Sequence, residues 1–308
     1  MSARLERWVR ERTTRAVSEA VDEAAQRKGG TTVSVVLPAR NESSTVGPLV
    51  RDLHARLVED VPLLDEVVVF DDGSTDATAA RAADAGARVV THRDVRPDVA
   101  AAGKGCAMWK GLAATRGDLV LFLDADVTEF PAHWVASLLL PLLREPEVHL
   151  VKATYDRPLQ VGGVAYPGSG GRVTRLVATP VLNLVEPDLV VFGQPLAGET
   201  AGRRDLLERL PFRTGYGVEL QLLLDAHAAV GLEGLAQVDL GVRSHRHQSD
   251  AELGAMATAL LHVAAVHCGR PAAAAASYAR LVRDDAGGLS LAADVVPGGV
   301  LPALSGPA

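Results

Sequence analysis

The chain has 308 residues, of which 48% are hydrophobic, and its 31 basic and 38 acidic residues give a formal net charge of −7. This length and composition predict a globular protein with a substantial core and exclude a largely disordered chain. The negative charge argues against general electrostatic attraction to nucleic acid or to anionic membranes, so an anionic ligand requires a local site.

Cysteine usage and the N-terminal sequence indicate a reducing compartment. The chain has only Cys106 and Cys268, without metal-ligand spacing, which argues against a disulfide framework or structural zinc. Residues 1–28 are rich in charge and lack an apolar signal core, so we expect a cytoplasmic protein. The apolar stretch 253–268 is too short to span a membrane and is predicted to be a packed helix.

Strand-like and helical patterns alternate after the N-terminal segment. Residues 1–28 are predicted to form a charged helix with a partial apolar stripe, ended by Gly29-Gly30. The strands predicted next are 33–37, 67–70, 87–90 and 119–123, and the helices are 44–58, 75–85 and 105–115. Near-continuous apolar strands with intervening helices indicate an α/β fold with a parallel sheet covered on both faces.

The sequence beyond residue 150 is less regular. It holds a strand-like segment at 148–152, a Gly-rich loop at 162–171 and several helical patterns, which suggest an acceptor-binding region. Residues 285–308 are rich in Gly, Pro and Ala, and are interpreted either as disordered or as an arm that reaches a partner. The predicted regions are an N-terminal extension at 1–30, a regular first half at 31–150, an acceptor-binding half at 151–284 and a tail at 285–308.

An apolar run at 119–123 ends in two aspartates separated by one alanine, Asp124-Ala125-Asp126. Successive side chains of a strand point to opposite faces, so these two carboxylates can point the same way. Convergent carboxylates suit Mg²⁺ or Mn²⁺, and such a cation can be shared with phosphate oxygens, which suggests a nucleotide-diphosphate substrate. The alternative is a strand followed by a polar turn.

Polar clusters also follow the first two predicted strands, where ligands of open α/β sheets gather. Residues 38–42 contain backbone groups suited to hold a base. The carboxylate of Glu42 is suited to accept hydrogen bonds from ribose hydroxyls. Asp71 and Asp72 end the second strand, where a carboxylate can accept hydrogen bonds from a nucleobase or ribose. The alternative is helix capping by Ser74 or Thr75, with Asp76 in the first turn.

Two glycine-containing segments precede helical patterns and are candidate anion sites. At 103–105, backbone N–H groups and the Lys104 ammonium are suited to phosphate, although the segment is not a Walker A loop. At 168–174, glycines allow close backbone approach while Arg172 and Thr174 add donors, which suits a small phosphorylated acceptor. A solvated turn and a flexible loop are the respective alternatives.

Basic groups alternate at the end of the strand-like segment 238–247, where Arg243, His245 and His247 share one face. A neutral imidazole can complete a metal shell begun by Asp126, and Arg243 can hold an anion. These histidines can equally be structural or exposed. Residues 215–219 place Tyr216 and Glu219 at a helix start, where Glu219 is either a site carboxylate or a capping residue.

In this order, these segments resemble the glucosyl-3-phosphoglycerate synthase family of retaining nucleotide-sugar glycosyltransferases with the GT-A fold. The resemblance covers roughly residues 31–268 and is specific because it extends into the second half of the chain. The matching segments are 35–39, 73–76, 86–90, 103–105, 158–161, 170–174, 194–196, 198–199, 210–212, 215–219 and 252–256.

The resemblance implies a GT-A fold, with a Rossmann-like, mostly parallel central sheet and a more helical acceptor-binding half. It implies transfer of glucose from UDP-glucose to the 2-hydroxyl of 3-phosphoglycerate with retention, dependent on Mg²⁺ or Mn²⁺, by a homodimer. The implied UDP-sugar residues are Pro38, Ala39, Arg40, Glu42, Asp72, Ser74, Lys104, Asp124 and Ala125. The implied metal ligands are Asp126 and His245, and the implied acceptor residues are Gly171, Arg172, Thr174, Tyr216, Arg243 and His247.

The implied chemistry is electrostatic, with Asp126, Lys104 and Glu219 as the catalytic residues. Metal and Lys104 stabilise the departing diphosphate while Glu219 orients the sugar or acceptor, or alternatively acts as a nucleophile. Arg40, Asp72, Ala125 and His247 replace the leucine, serine, serine and asparagine expected in relatives.

Three rival functions remain. A related transferase would use another donor, such as GDP-mannose, or a polyprenyl-phosphate acceptor, which the absence of membrane segments disfavours. A nucleotidyltransferase would use similar carboxylates but a Gly-rich loop directly after its first strand, which this chain lacks. A non-catalytic nucleotide-sugar-binding paralogue would bind without turnover.

Overall fold

A computed structural model of the chain describes residues 2–99, 103–127, 130–161, 164–166, 170–243, 249–271, 275–283 and 289–305. The strands are β1 Thr13–Arg15, β2 Val33–Ala39, β3 Glu66–Asp71, β4 Arg88–Thr91, β5 Leu119–Phe122, β6 Leu150–Asp156, β7 Leu159–Val161, β8 Val164–Tyr166, β9 Thr200–Arg203, β10 Phe212–Arg213, β11 Leu235–Val242, β12 Ala275–Arg283, β13 Leu289–Pro297 and β14 Val300–Leu301. The α-helices are α1 Ala3–Arg12, α2 Ala20–Lys28, α3 Val46–His54, α4 Thr78–Asp84, α5 Lys104–Ala114, α6 Ala132–Arg144, α7 Thr179–Val185, α8 Arg204–Arg209, α9 Val218–Val230 and α10 Asp250–His267. Shorter helical segments of other types are Ala55–Asp60, Thr174–Ala178, Pro187–Val191 and Leu232–Gly234.

An eight-stranded sheet organises the molecule, in the order β1-β11-β6-β9-β5-β2-β3-β4. Its neighbouring strands are parallel except at β9, which runs antiparallel to both β5 and β6. The α/β class and the mostly parallel sheet predicted from the sequence are therefore confirmed. From β2 the chain moves to β3 and β4 on one side and returns to β5 on the other, which places a switch of direction between β2 and β5.

Both faces of the sheet are buried, as the near-continuous apolar strands require. Successive side chains of β2 enter opposite cores: Val35 and Leu37 pack in one core, and Val36 packs in the other with Trp109 of α5. The strand is thus clamped between helical layers, and its carboxyl end is held at a fixed position.

The N-terminal segment is not the single helix predicted for residues 1–28. It forms α1 and α2, separated by the short strand β1, which pairs in parallel with β11. β1 begins with the β-branched residues Thr13 and Thr14, which favour extended backbone over helix. The segment packs on the body of the chain, where the buried Trp8 donates from Nε1 to the carbonyl of Leu232 at 2.9 Å.

The described part of the Gly/Pro-rich tail folds onto its own chain, so disorder was the wrong interpretation there. β13 pairs antiparallel with β12 along nine residue pairs, and β14 pairs with β10. Trp109 donates from Nε1 to the carbonyl of Pro302 at 2.8 Å, which ties the tail to α5. Interleaved Val, Leu and Ser residues give this segment β-forming stretches despite its overall composition.

The apolar stretch 253–268 is part of α10, which confirms the prediction of a packed helix. Ser249 caps the helix in a reciprocal arrangement with Glu252, and Leu260 and Val263 are buried. Among the residues that the structure describes, no helix has both the length and the apolar character needed to cross a membrane.

Candidate active site

A cavity of about 630 Å³ opens at the carboxyl ends of β2, β3 and β5, beside the switch between β2 and β5. Residues from the second half of the chain close its other side. The sequence-predicted residues that line it are Pro38, Ala39, Arg40, Glu42, Asp72, Lys104, Asp124, Ala125, Asp126, Gly171, Arg172, Thr174, Tyr216 and Glu219. The fold therefore gathers segments up to 218 residues apart in sequence, from Pro38 to Met256, into one cleft.

Lys104 holds two carboxylates at the centre of this cleft. Its Nζ lies 2.7 Å from Asp124 Oδ1 and 2.6 Å from Glu219 Oε1. Lys104 begins α5, Asp124 follows β5, and Glu219 lies in the first turn of α9, so the ammonium joins the two halves of the chain. Glu219 is buried and paired, whereas the N-cap position of α9 is Gly217, so capping by Glu219 is not its role.

The electrostatics of this triad keep Lys104 positively charged. Burial lowers the pKa of Lys104, but the charges of Asp124 and Glu219 outweigh burial and raise it above its ordinary value. Burial likewise opposes ionisation of Asp124, but Lys104 and then Arg243 lower its pKa to about 2. The triad therefore places its single cation between two carboxyl groups.

Asp126 differs from Asp124 because no described residue forms an ion pair with it, although Arg243 and Lys104 act on it at longer range. Its side chain is exposed at the cleft, and its pKa is raised by partial withdrawal from water and then by the charge of Asp124. A carboxylate in this state gains from a nearby cation, and hard divalent cations prefer oxygen ligands. Within the described ranges no group of three or more His, Cys, Asp or Glu side chains is arranged to hold a metal ion.

A buried polar layer supports Asp124 from below. Gly198 approaches so closely that a Cβ there would collide with the Asp124 carboxylate, so only glycine fits. The next residue, Glu199, is fully buried and forms an ion pair with Arg243 Nη1. Tyr155 donates from its hydroxyl to Glu199 at 3.3 Å, and the Arg243 guanidinium lies 5.2 Å from the centre of its ring.

Arg243 accordingly lies beneath the cavity wall and does not line it. Ser74 also lies outside the lining, because its Oγ accepts from the backbone N–H of Asn41 at 2.9 Å. His245 and His247, predicted for metal and acceptor, fall outside the described residues, so the structure reports nothing on them.

Asp72 lines the cavity, but both of its oxygens have protein partners. Oδ1 lies 2.6 Å from His92 Nε2, and Oδ2 accepts from the backbone N–H of Gly103 at 2.9 Å. Asp72 therefore positions the segment that leads into Lys104. Capping by Ser74 or Thr75 is not observed, because α4 begins only at Thr78, whose N–H and hydroxyl both donate to Asp76.

The opposite wall is formed by the 170–174 segment and by the starts of α9 and α10. Arg172 Nη1 pairs with Asp250 Oδ1 at 2.9 Å, across to the first turn of α10. Thr174 is buried, and burial raises the pKa of Tyr216 to about 12. This wall combines the glycine-containing 170–174 segment with a phenol that stays protonated.

Sequence reasoning missed several residues of the cleft and of the layer beneath it. Tyr155, Arg157, Leu196 and Met256 line the cavity, whereas Lys152 and Glu199 are buried below it. A usable signal existed for two of these residues. Lys152 lies among the apolar residues Leu150, Val151 and Ala153, and Glu199 follows a glycine before a buried strand, so each is a charge that must find a partner.

Comparison with known proteins agrees with this geometry. The family described as Glycosyl transferase family 2 matches residues 34–170. A crystal structure of mannosyl-3-phosphoglycerate synthase from Rubrobacter xylanophilus superposes with a TM-score of 0.87 at 38% identity, over 97% of this chain and 98% of that one. Glucosyl-3-phosphoglycerate synthase from Mycobacterium tuberculosis, in complex with Mn²⁺, UDP and phosphoglyceric acid, superposes with a TM-score of 0.84 at 38% identity, over 95% and 97% of the two chains.

Fold and site together define a glycosyltransferase of the GT-A class. Glucosyl-3-phosphoglycerate synthase from Mycolicibacterium smegmatis is 45% identical over 264 residues, which cover 85% of this chain and 86% of the relative. The enzyme of the same description from Mycolicibacterium paratuberculosis is 46% identical over 268 residues, covering 86% and 80%. The chain therefore belongs to the glucosyl-3-phosphoglycerate synthase family.

Proposed function

We propose that this enzyme transfers glucose from UDP-glucose to the 2-hydroxyl of 3-phosphoglycerate, with retention and release of UDP. The observation that carries the proposal is the Lys104 ammonium, held at 2.7 Å from Asp124 and 2.6 Å from Glu219 where the two walls of the cleft meet. A relative crystallised with UDP, Mn²⁺ and glucosyl-3-phosphoglycerate supports the same pairing of donor and acceptor.

The two walls divide the substrates between them in this proposal. Residues 31–150 bind the nucleotide sugar at the strand ends, and residues 151–284 bind the acceptor. The donor residues are Pro38, Ala39, Arg40, Glu42, Asp72, Lys104, Asp124 and Ala125, with Ser74 acting through Asn41. The acceptor residues are Gly171, Arg172, Thr174 and Tyr216, with Arg243 placed beneath them and His247 completing the set.

A divalent cation fits the donor set. Asp126 offers an oxygen ligand whose charged form is disfavoured without a cation, and His245 is the second ligand that we propose. Magnesium commonly binds one or two carboxylates together with substrate phosphates, so few protein ligands are needed. When bound, the ion supplies charge stabilisation to the departing diphosphate. Relatives crystallised with UDP contain Mg²⁺ or Mn²⁺.

The chain's own groups account for the rest of the reaction. Lys104 stays protonated and stabilises the negative charge that develops on the leaving UDP oxygen as its bond to the sugar C1 breaks. The acceptor 2-hydroxyl oxygen forms the new bond to C1 from the same face and transfers its proton to that UDP oxygen. Glu219 is buried and paired with Lys104, which makes it a poor nucleophile and supports an orienting role.

A mannosyltransferase acting on the same acceptor is the second candidate. The superposition with mannosyl-3-phosphoglycerate synthase, with its TM-score of 0.87, favours it specifically. Glucose and mannose differ only in the configuration at C2, so the two candidates are separated by which nucleotide sugar the enzyme consumes.

A donor panel tests these functions. The purified enzyme with Mg²⁺ is incubated with UDP-glucose, GDP-glucose or GDP-mannose, with and without 3-phosphoglycerate, and nucleotide release is measured. We expect the fastest acceptor-dependent release from UDP-glucose, and its loss on chelation of the metal. Faster release of GDP from GDP-mannose would establish the second candidate. Release of inorganic diphosphate would indicate a nucleotidyltransferase, and binding of a nucleotide sugar without turnover would indicate a non-catalytic paralogue.

We further propose that the enzyme is a cytoplasmic homodimer. The β12–β13 hairpin presents Leu291 and Val295 with 71% and 77% of their surface exposed, and an exposed apolar pair on a strand favours a protein contact. Light scattering after size-exclusion chromatography would give twice the chain mass; a mass of 32.3 kDa would contradict the dimer. Cell fractionation would test the location.

A further inference from the structure

The basic residues that line the cleft differ in whether they already have a partner. Six acidic and four basic side chains line it, so an anionic substrate finds a surplus of negative charge. Lys104 is paired with Asp124 and Glu219, and Arg172 is paired with Asp250. The remaining two, Arg40 and Arg157, have no ion pair with any described residue.

Arg157 is the more unusual of these two residues. Its Nε is buried without a hydrogen-bond partner among the described residues, while the side chain lines the cavity. The guanidinium carbon lies 5.7 Å from the centre of the Tyr155 ring, a cation–π contact that satisfies no N–H donor. Because no described carboxylate pairs with this charge, the part of the guanidinium that lines the cavity is available to an anionic ligand.

The backbone of Arg157 places it beside the acceptor segment. Its carbonyl accepts from the N–H of Gly170 at 2.8 Å, and its side chain lies against Gly170 and Gly171. Its side chain also lines the same cavity as Lys104 and Asp124, whose ion pair lies at the centre of the cleft. Arg172, by contrast, pairs with Asp250, a residue whose side chain is 94% exposed at the rim.

We propose that Arg157 binds the carboxylate of the acceptor, whereas Arg172 and the 170–174 segment bind its phosphate. This inference rests on the proposed function. In 3-phosphoglycerate the carboxylate carbon is bonded directly to the carbon that bears the reacting hydroxyl, whereas the phosphorus is three bonds away. The carboxylate therefore lies nearer the reaction centre, where Arg157 lies, and a guanidinium matches a carboxylate with two parallel hydrogen bonds.

Calorimetric binding, measured in the presence of UDP and Mg²⁺, tests the assignment independently of turnover. The ligands are 3-phosphoglycerate and glycerol 3-phosphate, which lacks the carboxylate. Arg157→Met should weaken binding of 3-phosphoglycerate by about 10- to 100-fold, the range of a charged hydrogen bond, and leave glycerol 3-phosphate within about twofold. Arg172→Met should weaken both ligands by the same factor, and Arg157→Lys should recover part of the loss.

Arg116→Met, which changes an exposed arginine outside the cleft, is the matched control and should leave both affinities unchanged. An equal loss for the two ligands in Arg157→Met, or no loss for either, would overturn the assignment. Failure of wild-type protein to bind 3-phosphoglycerate would overturn it together with the proposed acceptor. Normal binding without acceptor-dependent turnover would count against the proposed function alone.

Discussion

The two walls of the cleft are built by different means. The wall that we propose for the nucleotide sugar, called the nucleotide wall, consists of residues that directly follow β2, β3 and β5, whose backbones are locked between two cores. The wall that we propose for the acceptor, called the acceptor wall, consists of the 170–174 segment and of helix starts, tied together by pairs such as Arg172 with the exposed Asp250. The first wall is positioned by sheet register and the second by side-chain contacts, so the second is the one that can change with little cost to the fold.

Lys104 connects the two walls through its ion pairs with Asp124 and Glu219, and a buried polar layer supports this contact. Glu199, Arg243 and Tyr155 lie under Asp124, and Lys152 donates to the carbonyl of Ala197 at 2.8 Å. From this difference between the walls we expect three kinds of effect. Substitutions at the contact between the two walls reduce catalysis, substitutions in the buried polar layer reduce stability, and substitutions on the acceptor wall alter only acceptor affinity.

The largest effect is expected at Asp126, the carboxylate that we propose as a metal ligand. Asp126→Asn keeps the size of the side chain and removes its charge, so kcat should fall by about 10³-fold, as when a main electrostatic contact of a transition state is lost. Steady-state assays with UDP-glucose and 3-phosphoglycerate measure it. Asp84→Asn, which alters an exposed carboxylate of α4, should leave kcat unchanged. Full metal-dependent activity of Asp126→Asn would remove Asp126 from the site.

In the buried layer, Glu199→Ala should cost about 3 kcal/mol of unfolding free energy, because it leaves the Arg243 charge buried without its partner. Urea denaturation followed by circular dichroism measures this loss. Glu208→Ala breaks a partly exposed pair with Arg204 on α8 and should cost less than about 1 kcal/mol. Equal losses for the two variants would contradict a structural role for the buried pair.

Lys152 should give the protein a distinctive pH dependence. Burial lowers the pKa of Lys152 from 10.5 to about 8. Between these values the unfolded chain keeps a proton that the folded protein has lost, so stability rises with pH in this window. The unfolding free energy of wild type relative to Lys152→Met should therefore increase by about 1 to 2 kcal/mol from about pH 8 to about pH 9.5. A constant difference would mean that Lys152 does not titrate there.

The smallest effects are expected on the acceptor wall. Arg172→Ala should raise KM for 3-phosphoglycerate by about tenfold with little change in kcat, because it removes one charged contact to bound acceptor. Asp250→Asn breaks only the pair at the rim and should change KM by less than about threefold, since exposed ion pairs contribute little. A large fall in kcat for Arg172→Ala would place this arginine at the reaction centre.

The sequence predicted the nucleotide wall better than the acceptor wall for a physical reason. β2, β3 and β5 are short apolar runs bounded by polar residues, and their signal is local. By contrast, β1 is recognised only through its pairing with β11, more than 220 residues away, and β9 enters the sheet antiparallel between β5 and β6.

Contacts between segments that are distant in sequence could likewise not be predicted from local sequence patterns. The pairing of Lys104 with Glu219, and of Glu199 with Arg243, depends on how the second half packs on the first. Arg157 carries no motif of its own, and only its unpaired position in the folded cleft distinguishes it from a surface arginine.

The central claim is that the two walls form one active site that joins glucose to 3-phosphoglycerate with retention. The most direct test is NMR of the product formed from UDP-glucose, 3-phosphoglycerate and Mg²⁺. We predict a glucoside attached at the 2-oxygen with the same α configuration as the donor, formed only when the acceptor is present. A β-linked product, or UDP release at the same rate without 3-phosphoglycerate, would contradict the claim.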